Sequence, residues 1–193
     1  MKIKAMQKHF LFSAILIAVT GCVNINEHKT TALKGENLIA PHAKLLAGWH
    51  ITIENKENYH TSIWQHPTDG LKDAYMVSVT LPAQKDIRYF RQVIDQPGYS
   101  SCIKFTTLTV LSSPSSVYPS EIWQTHCQKK NGNEAKILHL MLQGQDSFYH
   151  IQKIWQDSFN AQEIIAWQNR FKGMYLCDSR VATSTCPKMI NNL

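Results

Sequence analysis

Four segments between residues 102 and 156 alternate apolar and polar side chains, and this pattern constrains the fold more than any other feature of the chain. The segments have the length of ordinary strands; they are residues 102–110, 121–128, 135–143 and 147–156. Asn131-Gly132 separates the second from the third, and Gly144-Gln145-Asp146 separates the third from the fourth. Because such short turns join neighbouring antiparallel strands, the pattern predicts a four-stranded meander.

The segments around this meander predict further strands and two helices. Alternating residues at 49–54, 59–66 and 75–81 predict three N-terminal strands. Apolar residues at helical spacing predict a helix at 86–96 that stops at Pro97-Gly98, and a second at 160–172. The predicted fold class is α+β, an antiparallel sheet with two flanking helices. This outline resembles the α/β/α sandwich of PsbP-type proteins, a likeness of fold that implies no function.

The first 21 residues have the features of a secretory signal peptide. Lys2, Lys4 and Lys8 precede a short apolar run at residues 10–19. Ten helical residues cover only about 15 Å, roughly half of a hydrocarbon core. The run is therefore too short to span a membrane, and we expect residues 1–21 to be removed after export.

The sequence Val19-Thr20-Gly21-Cys22 resembles a bacterial lipobox. The resemblance implies that Cys22 receives a diacylglycerol and becomes the acylated N-terminus of the mature chain. Val23 follows where an inner-membrane lipoprotein would have Asp, which favours the outer membrane, facing the periplasm. The alternative is an ordinary signal peptide with an incidental Cys22. Polar residues 22–44 are predicted to be a tether, and residues 45–193 a single globular domain with a disulfide-closed tail.

Charge and composition argue against several function classes. The full chain has a formal charge of +6, but the signal segment contains three of its lysines, so the mature chain would carry only +3. That charge gives no reason to expect a nucleic acid partner. The chain also lacks a glycine-rich phosphate loop, and we expect no cofactor.

Four cysteines remain once Cys22 is lipidated, and an even number in an exported chain predicts two disulfides. A hairpin centred near residues 114 and 115 would place Cys102 opposite Cys127, at a separation that suits a disulfide. Cys177 and Cys186 would then close a small loop in the tail. Either other pairing would tie the tail to the sheet twice, and nothing in the sequence requires that.

Three histidines lie on three consecutive strands of the meander, and a cross-strand row of imidazoles is a candidate zinc or copper site. They are His126, His139 and His150. The sequence contains no His-x-x-x-His pair and no evident supporting acid, and this favours three unrelated polar residues over a metal centre.

No motif for catalysis is present, neither a Gly-x-Ser-x-Gly elbow nor a recognisable pair of acids. We therefore expect a non-catalytic, lipid-anchored envelope protein that binds or assembles with another envelope or secretion-system protein. One alternative is a periplasmic hydrolase whose site has no sequence signature. The other is a metal-handling lipoprotein that uses the histidine row.

Overall fold

The computed structural model describes residues 35–40, 43–81, 86–110, 117–184 and 186. The signal segment, Cys22 and most of the predicted tether lie outside these residues. The described elements are β1 (Glu36–Ile39), a 3-10 turn (Ala43–Leu46), β2 (His50–Lys56), β3 (Tyr59–His66), β4 (Gly70–Thr80), α1 (Ile87–Ser101), β5 (Lys104–Val110), β6 (Ser120–Gln128), β7 (Glu134–Gln143), β8 (Phe148–Gln156), α2 (Ala161–Lys172) and β9 (Tyr175–Asp178).

Seven of these strands form one antiparallel sheet in the order β2-β3-β4-β8-β7-β6-β5. The predicted meander is present as β5 to β8, and the N-terminal strands form a second meander, β2 to β4. The two meanders join where β4 pairs with β8, with Val77 opposite Ile151. This arrangement confirms the predicted α+β class with an antiparallel sheet and two helices.

Each helix covers a different face of the sheet. Ile87 at the start of α1 packs with Trp123, Met141 and Phe148 on one face. The larger core lies on the opposite face, beneath α2 and β9, because alternate residues of each strand point that way. Its members include Leu138, Leu140, Ile151, Ile164, Trp167, Phe171 and Leu176. Within the described residues, no helix is long and apolar enough to cross a membrane.

Helix α1 does not stop at Pro97-Gly98 as the sequence predicted, but continues to Ser101. A proline removes only its own N–H from the helical ladder, and the last turn is held by packing on β5. Gly98 lies against the ring of Phe105, so close that a Cβ atom at this position would be 2.2 Å from the ring. The glycine permits a close approach of helix and strand instead of ending the helix.

The Cys102–Cys127 disulfide is present as predicted, with a Cα–Cα separation of 5.5 Å. The register that led to it was wrong, because Phe105 and not Cys102 lies opposite Cys127. Cys102 is the C-cap of α1. The disulfide therefore ties the end of the helix to β6, and does not cross-link two neighbouring strands.

The Cys177–Cys186 disulfide is also present, but the tail is less irregular than predicted. Cys177 lies in β9, which pairs antiparallel with β1, opposite Asn37. Residues 36–39 are therefore part of the folded structure, although the sequence assigned them to the tether and placed the domain boundary at Leu45. Four residues with two polar side chains gave too short a pattern to predict this strand.

Glu36 fixes β1 to the turn between β7 and β8. Its fully buried carboxylate accepts hydrogen bonds from the backbone N–H groups of Gln145 and Asp146, from the Ser147 hydroxyl, and from Arg180. A Cβ atom at position 144 would be 2.3 Å from this carboxylate, so the turn needs its glycine there. The first strand of the described residues is thus firmly attached to the sheet.

Candidate functional site

The sheet separates the three histidines of the predicted metal row. His139 lies opposite Trp123 on β6 and Gln152 on β8, on the face covered by α1. His150 shares that face, and the two rings approach to 3.1 Å between Nδ1 of His139 and Nε2 of His150. His126 lies opposite Lys136. Its neighbour Thr125 points to the face that holds His139, so His126 points to the other face, since adjacent residues of a strand alternate. The three-histidine row is therefore wrong.

His139 and His150 form part of a buried polar and aromatic stack. The ring of Trp123 lies parallel to that of His139 at 4.6 Å between centroids. The Thr125 hydroxyl is 3.0 Å from Nε2 of His139, and the Gln152 amide is 3.3 Å from its Nδ1. Burial lowers the pKa of His150 to about 4 and that of His139 well below its usual value, with a further contribution from the His150 charge. Both imidazoles are neutral at neutral pH.

Within the described residues no group of three or more histidine, cysteine, aspartate or glutamate side chains is placed to hold a metal ion. The metal-handling alternative loses the ligand set on which it depended. The histidine pair instead resembles a satisfied core network, in which each ring has hydrogen-bond partners and a stacked neighbour.

Lys153 is the least expected residue of the larger core, with no exposed surface at all. Its ammonium group is paired with Asp73 and lies 3.8 Å from Glu163. The indole rings of three tryptophans surround it at 4.7 to 5.4 Å from their centroids; they belong to Trp49, Trp155 and Trp167. Burial lowers the pKa of Lys153 to about 8, and the Glu163 carboxylate opposes this change.

A cleft of about 470 Å³ lies beside Lys153, and Asp73, Asp157 and Glu163 are among its lining residues. This is the place where a hydrolase would be sought, because a lysine of lowered pKa beside carboxylates is a candidate acid or base. The lysine has no exposed surface and its donors point to Asp73. A group that cannot reach a substrate cannot transfer a proton to it. The arrangement is that of a buried ion pair.

A second concavity, of about 460 Å³, lies between α1 and β5, and we refer to it as the α1–β5 groove. One wall is a stripe along the helix formed by Arg88, Gln92, Gln96 and Tyr99. Thr107 of β5 and Glu121 of β6 line the other side. The groove lies at the edge of the sheet, since β5 is the last strand in the sheet order.

Arg91 forms the base of this groove and pairs with the two acids beneath it. Its guanidinium is bonded to Glu121, lies 3.7 Å from Asp95, and donates to the hydroxyls of Thr107 and Thr109. Asp95 also accepts from the indole N–H of Trp123 at 3.1 Å. The charges at the base of the groove are therefore used within the protein, and they connect α1 to β5 and β6.

The surface around the groove is unusually apolar. Of ten exposed large hydrophobic side chains in the described residues, four lie on α1 or just after it; they are Tyr89, Val93, Tyr99 and Ile103. Leu108 of β5 is also exposed, but on the other face of the sheet, because its neighbours Thr107 and Thr109 face Arg91. Helix α1 has three charged residues, of which Arg91 and Asp95 face the sheet side. Only Arg88 therefore adds charge to the outer side of this helix, whereas solvent-facing helix surfaces are ordinarily rich in charge.

Sequence reasoning did not find Lys153 or Arg91, and a signal existed for only one of them. Lys153 stands between Ile151 and Trp155 in the inward positions of β8, so strict alternation places it in the core. Arg91 lies among apolar residues of α1 without a distinguishing pattern, and its partners come from two separate strands.

No protein-family model matches the chain, and no curated protein matches it either. Function is therefore inferred from the residues and their geometry alone.

Proposed function

We propose that this chain is a lipid-anchored protein of the bacterial cell envelope, whose domain binds another envelope or secretion-system protein without catalysing a reaction. The observation that carries the binding role is the group of exposed apolar side chains on α1, which includes Tyr89, Val93 and Tyr99. Exposed apolar side chains grouped on one element are typical of an interaction site. The charged groups that a catalytic site would use are instead paired within the protein, as for Lys153 and Arg91.

The anchor rests on the sequence Val19-Thr20-Gly21-Cys22, and the two disulfides support export to an oxidising compartment. Residues 23–35 separate Cys22 from β1. Thirteen extended residues reach up to about 45 Å, enough to hold the domain clear of a bilayer surface. The absence of Asp after Cys22 favours the outer membrane, with the domain in the periplasm, and the partner is then a protein of that space. No nucleic acid partner is proposed.

Photo-crosslinking from α1 in the native envelope tests this function. A photoreactive residue at Val93, where 51% of the side chain is exposed, is expected to capture one discrete envelope protein. Ile165 is the matched control, because it is similarly exposed, at 56%, but lies on α2 across the sheet. Equal adducts at both positions, or none from Val93, would contradict a binding surface on α1.

The same experiment includes an anchoring arm. Cys22→Ala is expected to abolish labelling by a palmitate analogue and to lower the yield of the Val93 adduct, since the domain is no longer held at the membrane. Labelling that persists in the variant would disprove lipidation at Cys22. The binding surface on α1 would then be tested only by the Val93 adduct.

The finer description of the fold, a PsbP-like α/β/α sandwich, is also a proposal. It is supported by the position of one helix on each face of the sheet. An experimental structure whose strand order departs from that of PsbP-type domains would refute it, and the functional proposal does not depend on the outcome.

A further inference from the structure

We propose that the α1–β5 groove binds an extended segment of the partner protein as an added β-strand, and that this segment is acidic at its ends and free of acidic side chains in its middle. The inference rests on the proposed binding function and specifies its mode. An edge strand beside a helix is a common platform for strand addition, because the edge supplies main-chain hydrogen bonds and the groove receives alternate side chains.

The two edges of the sheet differ in a way that favours β5. The edge strand β2 carries Glu54 and Lys56, which pair at 2.7 Å, and charged side chains protect an edge from pairing with other chains. The only charged residue of β5 is Lys104, and Leu108 in this strand is 65% exposed. In the described parts of the chain, β5 pairs with β6 only.

The dimensions of the groove suit an extended peptide. Its helical wall runs from Arg88 to Tyr99, a rise of about 16 Å at 1.5 Å per residue. An extended strand covers that length in about five residues, and β5 has seven residues to pair with it. Every second side chain of the added strand would enter the groove between Tyr99 and Thr107.

Charge complementarity identifies the chemistry of the segment. Arg91 pairs with both acids at the base, Glu121 and Asp95, and so leaves one net negative charge there. The groove therefore disfavours acidic side chains in the middle of the segment. The chain reverses between Ser101 and Lys104, so Arg88 lies at one end of the groove and Lys104, the first residue of β5, lies at the other end of the strand. Phe105 and Thr107 face α1, so Lys104 points to the other face of the sheet, where it would meet a side chain of the added strand that lies outside the groove.

The Arg88 side chain is 88% exposed, and its contact with Asp86 at 3.9 Å is a solvent-exposed pair of little energetic value. Lys104 is exposed as well. Carboxylates at both ends of a bound peptide would therefore find a cationic partner.

Selection of peptides from a displayed random library on the full chain in detergent tests the proposal. The selected sequences are expected to be acidic near both ends, rich in β-branched residues between them, and free of proline. Tyr99→Ala and Lys104→Glu are each expected to weaken binding of a selected peptide about tenfold, a change measured by fluorescence anisotropy.

The matched controls are Ile165→Ala, an exposed large side chain on α2 across the sheet, and Lys130→Glu, a charge reversal in a distant turn. Both should leave the affinity unchanged. Loss of binding in the controls, or a library that yields no such peptides, would overturn the proposal.

Proline substitution in β5 tests strand addition itself. Adjacent residues direct their N–H groups to opposite sides of a strand, so one of Thr106→Pro and Thr107→Pro breaks pairing with β6 and the other affects only the outer edge. The variant that keeps the melting temperature of the parent chain should lose peptide binding. Normal peptide binding by that variant would show that the peptide does not pair with β5.

Two other results remain distinguishable. The chain could instead self-associate, lose this association in Lys104→Glu, and bind no peptide. The groove would then be occupied by a second copy of the chain, and this inference would be overturned. An adduct from Val93 without peptide binding would leave the proposed function standing and refute the groove as its mode.

Discussion

A single positive charge inside the larger core lies beside two carboxylates, the nearer of them Asp73, and three indole rings. Lys153 has no exposed surface, whereas a quarter of the side chain of its partner Asp73 is exposed. The two members of this pair therefore differ in what happens when the other is removed. An unpaired Asp73 can be hydrated where it stands, but an unpaired Lys153 cannot.

Removing the acid should destabilise the domain more than removing the base. Asp73→Ala is expected to lower the free energy of unfolding by about 3 kcal/mol, the cost of leaving a buried charge without its partner. Lys153→Met keeps an unbranched side chain of similar volume among the tryptophans, and should change that free energy by less than about 1.5 kcal/mol. Urea denaturation at neutral pH measures both values.

Alkaline pH supplies the control for this prediction. In Asp73→Ala the folded state loses the Lys153 proton at or below about pH 8, whereas an unfolded lysine keeps it to about pH 10. The unfolded state then binds more protons, so stability should rise between pH 7 and about 9. If Asp73→Ala is as stable as Lys153→Met, or if its stability does not rise with pH, Lys153 is not a buried charge that depends on Asp73.

Single residues were predictable where their chemistry is local. The number of cysteines predicted two disulfides, although the register used to choose between the pairings was wrong. The Asn160 cap of α2 followed from its position before an apolar run. Arg91 and the histidines were not predictable in the same way. Their surroundings depend on which residue of the next strand lies opposite, and an error of one position moves a side chain to the other face.

Strands and turns were predicted well because their signals are contiguous in the sequence. Alternation and the Asn131-Gly132 turn located β5 to β8 within a few residues. The pairing of β4 with β8, and of β1 with β9, joins residues at least 68 positions apart, and no local pattern encodes it. Helix α1 was predicted too short, because Pro97-Gly98 is a stop signal unless tertiary packing overrides it.

The packing of α1 on β5 leads to a prediction for Gly98. A methyl group here would be 2.2 Å from the Phe105 ring, and both groups are held in place by the nearby Cys102–Cys127 disulfide. Gly98→Ala is therefore expected to reduce the free energy of unfolding by about 1–3 kcal/mol through overpacking, although alanine is the better helix former. Chemical denaturation of the oxidised protein measures the change.

A double-mutant cycle separates this clash from other effects. If the ring of Phe105 is the obstacle, Phe105→Leu should recover part of the stability that Gly98→Ala removes, so that the two changes are not additive. Ser100→Ala, an exposed position in the same turn, should have little effect. Additive effects would mean that Gly98 has some role other than making room for Phe105.

The molecule as a whole consists of two meanders that share a sheet, and the polar network near the centre of that sheet belongs to the face under α1. His139 and His150 are neutral there, and the charges that face them are those of Arg91 on α1 and its partners Glu121 and Asp95. Arg91 lowers the pKa of His139 further. At acidic pH, protonation of the two imidazoles is therefore unfavourable in the folded domain and favours its unfolding.

The sign of this effect follows from the direction of the shifts. An unfolded histidine binds a proton near pH 6.5, whereas His150 does so only at about pH 4 and His139 lower still. Between these limits the unfolded state binds more protons, so the stability of the domain falls as the pH falls through this window. The contribution of Asp178, whose pKa is lowered by Arg180, is lost only at more acidic pH.

The free energy of unfolding should therefore decline by up to about 1.4 kcal/mol per pH unit for each of the two rings as the pH falls from about 6.5 to about 5. A His139→Gln/His150→Gln variant can keep hydrogen bonds to Thr125 and Gln152 but cannot take up these protons. Its stability at neutral pH is expected to be lower than that of the parent chain, and its dependence on pH in this window much shallower. Urea unfolding at pH 7, 6 and 5 compares the two slopes, and parallel slopes would show that other groups govern the acid sensitivity of the fold.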